Sequence, residues 1–428
     1  MNPNLKESIL SLRASCIYGL GTTGMSVINF IHRRTDFEYH VWDDDFTLKK
    51  KIGKKNFSKS LDTVDFIVMS PGVSLKKAKL KKELKKNRHK IITDLDLFYL
   101  FNPKIKSIVV TGTNGKSTTC KILEHVLKKN KINVRVGGNI GTPVLDLDLK
   151  KKPLVIIEAS SFQLAYSQFV KADYAIILNI TNDHLDWHSS TKEYINSKFK
   201  IFSNQEKNNF AFINNKKLLK KFKKEKYNGK LKFVNMGKYM KIKKLIKNDY
   251  LNSEANEQNM SFVYALSKIL KIKEKSLINS LKSFKGLPHR QEIFYKKNNK
   301  IFVNDSKATS FEASKFALKN NKNIFWVVGG FPKKRDKFQL EGLKKNIIKT
   351  YIIGKSMKIF KKHLKGKVDL QLCKTIKNAI ISIFKDTKYI TDKRITILLS
   401  PASASYDQFK NFEERGNYFK KLIIKKFK

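Results

Sequence analysis

The sequence predicts an α/β protein built on parallel sheets, and three observations carry that expectation. Short continuous apolar runs recur along the chain, amphipathic lysine-rich stretches separate them, and two of the runs end in glycine-rich turns that open helices. A short run that is apolar throughout suits a strand covered on both faces, and the helical stretches supply the crossovers that parallel pairing requires.

Taken in order, Ser15-Cys-Ile-Tyr-Gly19 reads as the first strand and Met25 to Ile31 as the helix after its glycine turn. A second strand ends at Asp43 and Asp44, and Asp65-Phe-Ile-Val-Met69 forms another. Ser107-Ile-Val-Val-Thr111, Pro153-Leu-Val-Ile-Ile-Glu158 and Tyr174-Ala-Ile-Ile-Leu-Asn179 follow as a second group. Asn323-Ile-Phe-Trp-Val-Val328, Thr350-Tyr-Ile-Ile-Gly354 and Ile395-Thr-Ile-Leu-Leu-Ser400 form a third. At 428 residues two or three domains are expected. No repeat or Pro/Gly-rich linker marks their limits, which fall near residue 94 and near residue 290, after Gly286-Leu-Pro-His-Arg290.

Composition narrows the function. The net charge of +53 invites a nucleic-acid reading. Only nine of the 89 basic residues are Arg, however, and Arg is the residue suited to bidentate contacts with bases and phosphates. The lysines of 47–55, 76–90, 215–226 and 240–248 read more simply as solvated faces in a composition drifted towards Lys, Ile, Asn and Phe. Cys16, Cys120 and Cys373 are odd in number and far apart, which argues against a disulfide framework. With neither a signal pattern nor an apolar run long enough to span a bilayer, a soluble cytoplasmic protein is expected.

Two turns carry chemistry. Gly19-Leu-Gly21-Thr22-Thr23-Gly24 follows a strand and opens a helix, so its backbone can approach a diphosphate at the helix N-terminus. Asp43 and Asp44 stand where a ribose-binding acid often sits. A dinucleotide, a nucleotide-sugar and a purely structural turn all remain open at this motif. Gly112-Thr113-Asn114-Gly115-Lys116-Ser117-Thr118 is more specific, lying between Ile108-Val-Val and a helix beginning near Thr119. Its amides favour phosphate, Lys116 can reach the terminal phosphates, and Ser117 or Thr118 can ligate Mg²⁺. The loop is shortened, since the longer phosphate-loop spacing would need glycine at Val110. Glu158 and His184 end the next strands, where ligands of open α/β sheets collect, and are metal-ligand candidates. Ser190-Thr-Lys-Glu193 reads as a capping box opening a helix with Lys198, which composition alone would leave on the surface.

These residues together resemble the Mur ligases, the ATP-dependent amide-forming enzymes of bacterial peptidoglycan precursor synthesis. The resemblance runs nearly end to end, through Gly137-Gly-Asn-Ile-Gly141, Glu158-Ala-Ser-Ser-Phe-Gln-Leu164, Asn182-Asp-His-Leu-Asp186, Gly286-Leu-Pro-His-Arg290 and Asn304-Asp-Ser-Lys-Ala-Thr309. The run from Leu399 to Gly416 points to the member that adds D-glutamate to UDP-N-acetylmuramoyl-L-alanine. A related ligase adding another amino acid, a folylpolyglutamate ligase and a basic phosphate-loop ATPase on nucleic acid are the alternatives.

The resemblance implies three domains: a Rossmann-like UDP-substrate domain (1–94), a central P-loop ATPase-like parallel-sheet domain for ATP and Mg²⁺ (95–290), and a Rossmann-like C-terminal domain for the amino acid (291–428). It also implies the residue roles. Gly21, Thr22, Thr23, Asp43, Ser70 and Gly72 would hold the UDP end. Gly112 to Thr118 would hold ATP with Asn256, Asn259, Arg290, Asp305 and Lys307. Ser117, Glu158, His184 and a carbamylated Lys198 would position Mg²⁺, and Lys116, Asn139, His184 and Lys198 would be catalytic. Thr309, Lys333, Ser405 and Phe412 would take D-glutamate. A monomer acting on small molecules, without nucleic acid or membrane, is implied. The adenine-side motif departs from the family in reading Ala255-Asn256-Glu-Gln-Asn259, without the family's histidine. Trp42-Asp43-Asp44-Asp45 lacks the basic residue some members place near uracil.

Overall fold

The computed structural model describes residues 14–34, 38–45, 47, 57–181, 183–248, 250–252, 254–332, 336 and 338–427. It divides into two compact units, Met1–Phe284 and Lys285–Lys428. The first unit carries two sheets. One is four-stranded, in the order β2-β1-β3-β4, from β1 (Ala14–Tyr18), β2 (Glu38–Trp42), β3 (Phe66–Met69) and β4 (Ile91–Ile92). The other is six-stranded, in the order β10-β9-β8-β5-β7-β6. It comprises β5 (Ser107–Thr111), β6 (Val134–Gly138), β7 (Leu154–Glu158), β8 (Tyr174–Ile177), β9 (Phe210–Ile213) and β10 (Lys230–Phe233). Every pairing in both sheets is parallel, as the apolar runs of their central strands predict.

β5 lies between β7 and β8, so Val110 pairs with both Glu158 and Ile176, and the phosphate loop leaves the middle of the sheet. One apolar cluster joins the two sheets, running from Ile17 and Val68 through Leu97 and Phe98 to Val109, Ile157 and Ile177. Helix Asp94–Phe101 is the joint. Its Thr93–Asp96 capping box closes the first turn, and both buried acids are spent on the central sheet's chain. Asp96 accepts the Gln168 and Phe169 N–H groups at 2.9 and 2.7 Å, and Asp94 accepts Gln163 Nε2 at 3.1 Å.

The second unit holds a mixed six-stranded sheet, in the order β11-β12-β16-β13-β14-β15. Its strands are β11 (Glu292–Lys297), β12 (Lys300–Asn304), β13 (Ile324–Gly329), β14 (Ile347–Ile353), β15 (Leu370–Lys374) and β16 (Ile395–Leu399). Only the β11–β12 pair is antiparallel, and apolar clusters around Phe302 and Trp326 flank the sheet. The three cysteines are buried and free. Among the described residues no helix is long and apolar enough to cross a membrane.

Candidate functional site

The glycine turn after β1 is built by close approach. A Cβ on Gly24 would lie 1.9 Å from the Gly19 carbonyl oxygen, so only glycine lets helix Thr22–Arg34 start hard against the turn. Gly21 and Gly72 face open space. Ser70 is turned inward, its hydroxyl donating to the Gly19 carbonyl at 2.7 Å. Asp43 is likewise spent on the fold, accepting the Leu20 N–H at 2.6 Å and the Asp45 N–H at 2.8 Å. Asp44 takes the Tyr18 hydroxyl at 2.6 Å and Trp42 Nε1 at 3.0 Å. Of the residues assigned to the UDP end, Thr22, Gly21 and Gly72 are exposed, Thr23 is half-buried, and Asp43 and Ser70 shape the turn behind them.

The phosphate loop is set by Gly115, whose φ of 86° caps helix Lys116–Lys129 in the left-handed region. The helix therefore begins three residues before the position near Thr119 expected from the sequence. Asn179, just past β8, pins the loop from one side, accepting the Asn114 N–H at 2.9 Å and donating to the Asn114 carbonyl at 3.1 Å. On the other side Asn259 fills the space where a Cβ of residue 115 would stand. Asn259 Nδ2 donates to Asn256 Oδ1 at 3.1 Å, and Asn256 Nδ2 to the Tyr250 carbonyl at 2.8 Å. Both asparagines of the adenine-side motif thus bear on the loop, while the Ala255 side chain lies outside the described residues.

Two lysine Nζ atoms converge on a single carbonyl oxygen. Lys116 Nζ donates to Gly112 O at 2.8 Å and Thr113 O at 2.9 Å, and Lys198 Nζ donates to the same Gly112 O at 2.9 Å. Lys198 is 1% exposed, a rare placement among 80 lysines. Burial pushes its pKa well down, the Lys116 charge adds to the effect, and Asp183 pulls the other way. The Tyr194 ring lies 4.6 Å from Lys198 Nζ, and the Tyr194 hydroxyl bonds Thr113 Oγ1 at 2.9 Å. Ser190 caps helix Thr191–Phe199 through the Glu193 N–H, but the expected reciprocal bond is replaced: the Glu193 carboxylate pairs with Lys76 at 3.0 Å.

At the end of β7, Asn139 Nδ2 donates to Glu158 Oε1 at 2.9 Å, and the Asn139 N–H donates to the Glu158 carbonyl at 2.8 Å. Glu158 Oε2 is buried with no hydrogen-bond partner among the described residues. An unanswered buried carboxylate oxygen suits a hard cation that prefers oxygen ligands. His184, at φ 53°, lies over Phe162 at 4.7 Å and 3.4 Å from Asp183 Oδ2. Among the described residues no cluster of three His, Cys, Asp or Glu has metal-holding geometry. His188, unassigned from sequence, is buried against Ser161 Oγ at 2.9 Å, and burial lowers its pKa to about 4.

In the second unit Asp305 is buried, accepting the Ser400 hydroxyl at 2.7 Å and the Gln291 N–H at 3.1 Å. Desolvation raises its pKa to about 7 against the pull of these donors, Arg290 and Arg415. Lys307 Nζ stands 3.8 Å over the Phe412 ring. The buried Arg415 guanidinium donates to Ser306 O at 2.8 Å and Ser403 O at 3.0 Å, joining the Asp305–Lys307 turn to the one carrying Ser405. Thr309 is half-buried and Ser405 buried. Phe331 pairs with Ala404 and brings the chain leaving β13 alongside that turn. Lys333 itself, with Lys334 and Arg335, lies outside the described residues. Sequence reasoning missed Tyr194, Asn179 and Arg415. Tyr194 had one available signal, its place four residues before Lys198 on the same helix face.

Comparison with known proteins finds relatives along nearly the whole chain. The Mur ligase middle domain model matches residues 110–284, and the Mur ligase MurD-like N-terminal domain model matches residues 13–92. UDP-N-acetylmuramoylalanine–D-glutamate ligase of Rickettsia prowazekii is 35% identical, over 95% of this chain and 96% of the relative. The enzyme of that name from Fusobacterium nucleatum is 32% identical, over 97% and 100%. MurF ligase from Thermotoga maritima in complex with ADP shares the fold at a TM-score of 0.56 and 17% identity, covering 89% of this chain and 92% of that one. MurC from the same organism gives a TM-score of 0.56 at 17% identity over 97% and 99%.

Proposed function

This chain belongs to the Mur ligase family and is an ATP-dependent ligase, and from that premise we propose that it joins D-glutamate to UDP-N-acetylmuramoyl-L-alanine through an acyl phosphate. The observation that carries the reading is the convergence of Lys116 and Lys198 on the Gly112 carbonyl of the phosphate loop. In the first step the alanyl carboxylate attacks the γ-phosphate of ATP, so two anions must meet. Positive charge fixed in advance at the transferring group lowers that barrier. Lys116 supplies it from the loop, and the amides of Gly112 to Thr118 hold the ATP phosphates. Asn256 and Asn259 keep the loop in shape on the adenine side, and Asn139 holds Glu158 in its orientation.

Glu158, His184, Ser117 and Lys198 would hold Mg²⁺, which when bound neutralises phosphate oxygens. Lys198 suits that role only as an anion. Its buried amine, disfavoured as a cation, is nucleophilic towards CO₂: an N–C bond forms, one proton leaves to solvent, and the resulting carbamate places a negative charge beside Lys116. In the second step the D-glutamate amine attacks the acyl carbon and phosphate leaves. Thr309, Lys333, Ser405 and Phe412 would receive the amino acid. Arg290, Asp305 and Lys307 would meet the nucleotide, the enzyme working as a monomer in the cytoplasm. Gly21, Thr22, Thr23 and Gly72 would hold the UDP end, with Asp43 and Ser70 keeping the turn open to it.

The test is phosphate release from ATP with UDP-N-acetylmuramoyl-L-alanine and D-glutamate, L-glutamate, L-lysine or no amino acid. Release that depends on D-glutamate, with a product heavier by one glutamyl residue, is expected. Release driven by nucleic acid instead would overturn the reading.

A further inference from the structure

Among the side chains that cross between the two sheets of the first unit, Tyr166 holds a position that none of the assigned roles explains. Tyr166 ends helix Ser161–Tyr166, eight residues after Glu158. Its ring crosses to the four-stranded sheet and packs with Val73, Leu75 and Leu80 against the cluster of Tyr18, Ile67 and Met69. Its hydroxyl accepts the Leu75 N–H at 2.8 Å and donates to the Val73 carbonyl at 3.3 Å. Those two backbone groups directly follow the Ser70–Gly72 turn, which the Val73 N–H closes on Ser70 O at 3.0 Å. On its other side the Tyr166 ring lies 5.3 Å from Trp187, which packs at a tilt against Phe162, the ring that His184 meets edge-on. The helix itself is fixed at its start by the reciprocal Ser160–Gln163 capping box, and Gln163 is anchored to Asp94.

We propose that Tyr166 is a positioning residue that sets the span between the turn holding the UDP end of the substrate and the Glu158–His184 end where its carboxylate is phosphorylated. Tyr166 touches neither end. It ties the backbone just beyond the first to the helix that begins just beyond the second. A substrate gripped at one end presents its reacting carboxylate only as accurately as the distance to the other end is fixed, and misplacement by about 1 Å can cost up to about a hundredfold in rate. A second strap runs in parallel, from Lys76 Nζ to Ser189 Oγ and to Glu193 Oε2 at 3.0 Å. The proposal rests on the assignment of UDP to the Ser70–Gly72 turn.

Tyr166→Phe keeps the ring and removes the two hydrogen bonds. The expected result is a split. The Kd for UDP alone, by calorimetry, and the KM for ATP stay within about twofold of wild type, whereas kcat/KM for UDP-N-acetylmuramoyl-L-alanine falls about five- to tenfold, the size of one net hydrogen bond. Equal losses in UDP affinity and in kcat/KM would show that Tyr166 merely shapes the turn, and wild-type behaviour throughout would show that it does nothing; either overturns the proposal. Wild-type enzyme that fails to bind UDP would instead refute the assignment of the turn. Should Tyr166→Phe not fold, Lys76→Ala reads the same split through the parallel strap, with the same two results counting against it.

Discussion

The turn after β1 and the loop after β5 are the same device, a glycine-rich connection from a parallel strand to a helix, yet they spend their charges in opposite ways. In the first, the Asp43 and Asp44 carboxylates are taken up by Leu20, Asp45, Tyr18 and Trp42, so the fold itself uses the acids of the turn. In the second, two lysines share one carbonyl oxygen and a buried glutamate has an oxygen without a hydrogen-bond partner among the described residues. Holding a diphosphate needs only amides and shape, whereas moving a phosphoryl group needs strong, opposed charges kept out of water. Under the proposed function, the difference teaches that the glycine pattern marks where phosphate would be met, and the placement of the charged side chains marks what would be done to it.

The strongest way to break that contrast is Lys116→Ala. Turnover should fall at least about a hundredfold while UDP affinity is untouched; near-normal phosphate release would remove the phosphate loop from the mechanism. Next, Lys198→Ala should lose most activity and regain part of it with added short-chain carboxylic acids. An activity loss that no acid restores would leave Lys198 as a packing residue. In the first turn, Asp43→Ala should cost about 1 kcal/mol of stability and weaken UDP binding about fivefold with little change in kcat. A matching fall in kcat at saturating substrate would erase the division of labour.

A last effect is in pH, on stability and not on turnover. His188 has a folded pKa lowered from 6.5 to about 4, chiefly by burial. The unfolded chain therefore takes up a proton that the folded one refuses. Stability is intact above pH 6.5 and declines as pH falls towards 4, by up to about 3 kcal/mol. Thermal melts across that window should show the decline in wild type and a flatter profile in His188→Gln.

Much of this was legible in the chain itself. The strands at Ser15, Asp65, Ser107, Leu154, Tyr174, Ile324, Thr350 and Ile395 announce themselves as apolar runs, and the phosphate loop by its spacing. The charged strand Lys230–Phe233 and the helix start at Lys116 did not, because an edge strand is not apolar throughout and a helix start is decided by the φ of one glycine. Asp43 sits where a ribose-binding acid was expected, but its partner is Leu20, 23 residues away, and only packing shows it.

Sequence alone therefore determined the α/β class, the glycine loop between β5 and its helix, and the family, because strand burial, glycine turns and motif spacing are properties of neighbouring residues. Tertiary structure decided which of the described lysines is buried, which acid is spent on the backbone and which tyrosine spans two sheets. Desolvation and hydrogen-bond pairing depend on what the folded chain brings from far away, and no local pattern encodes them.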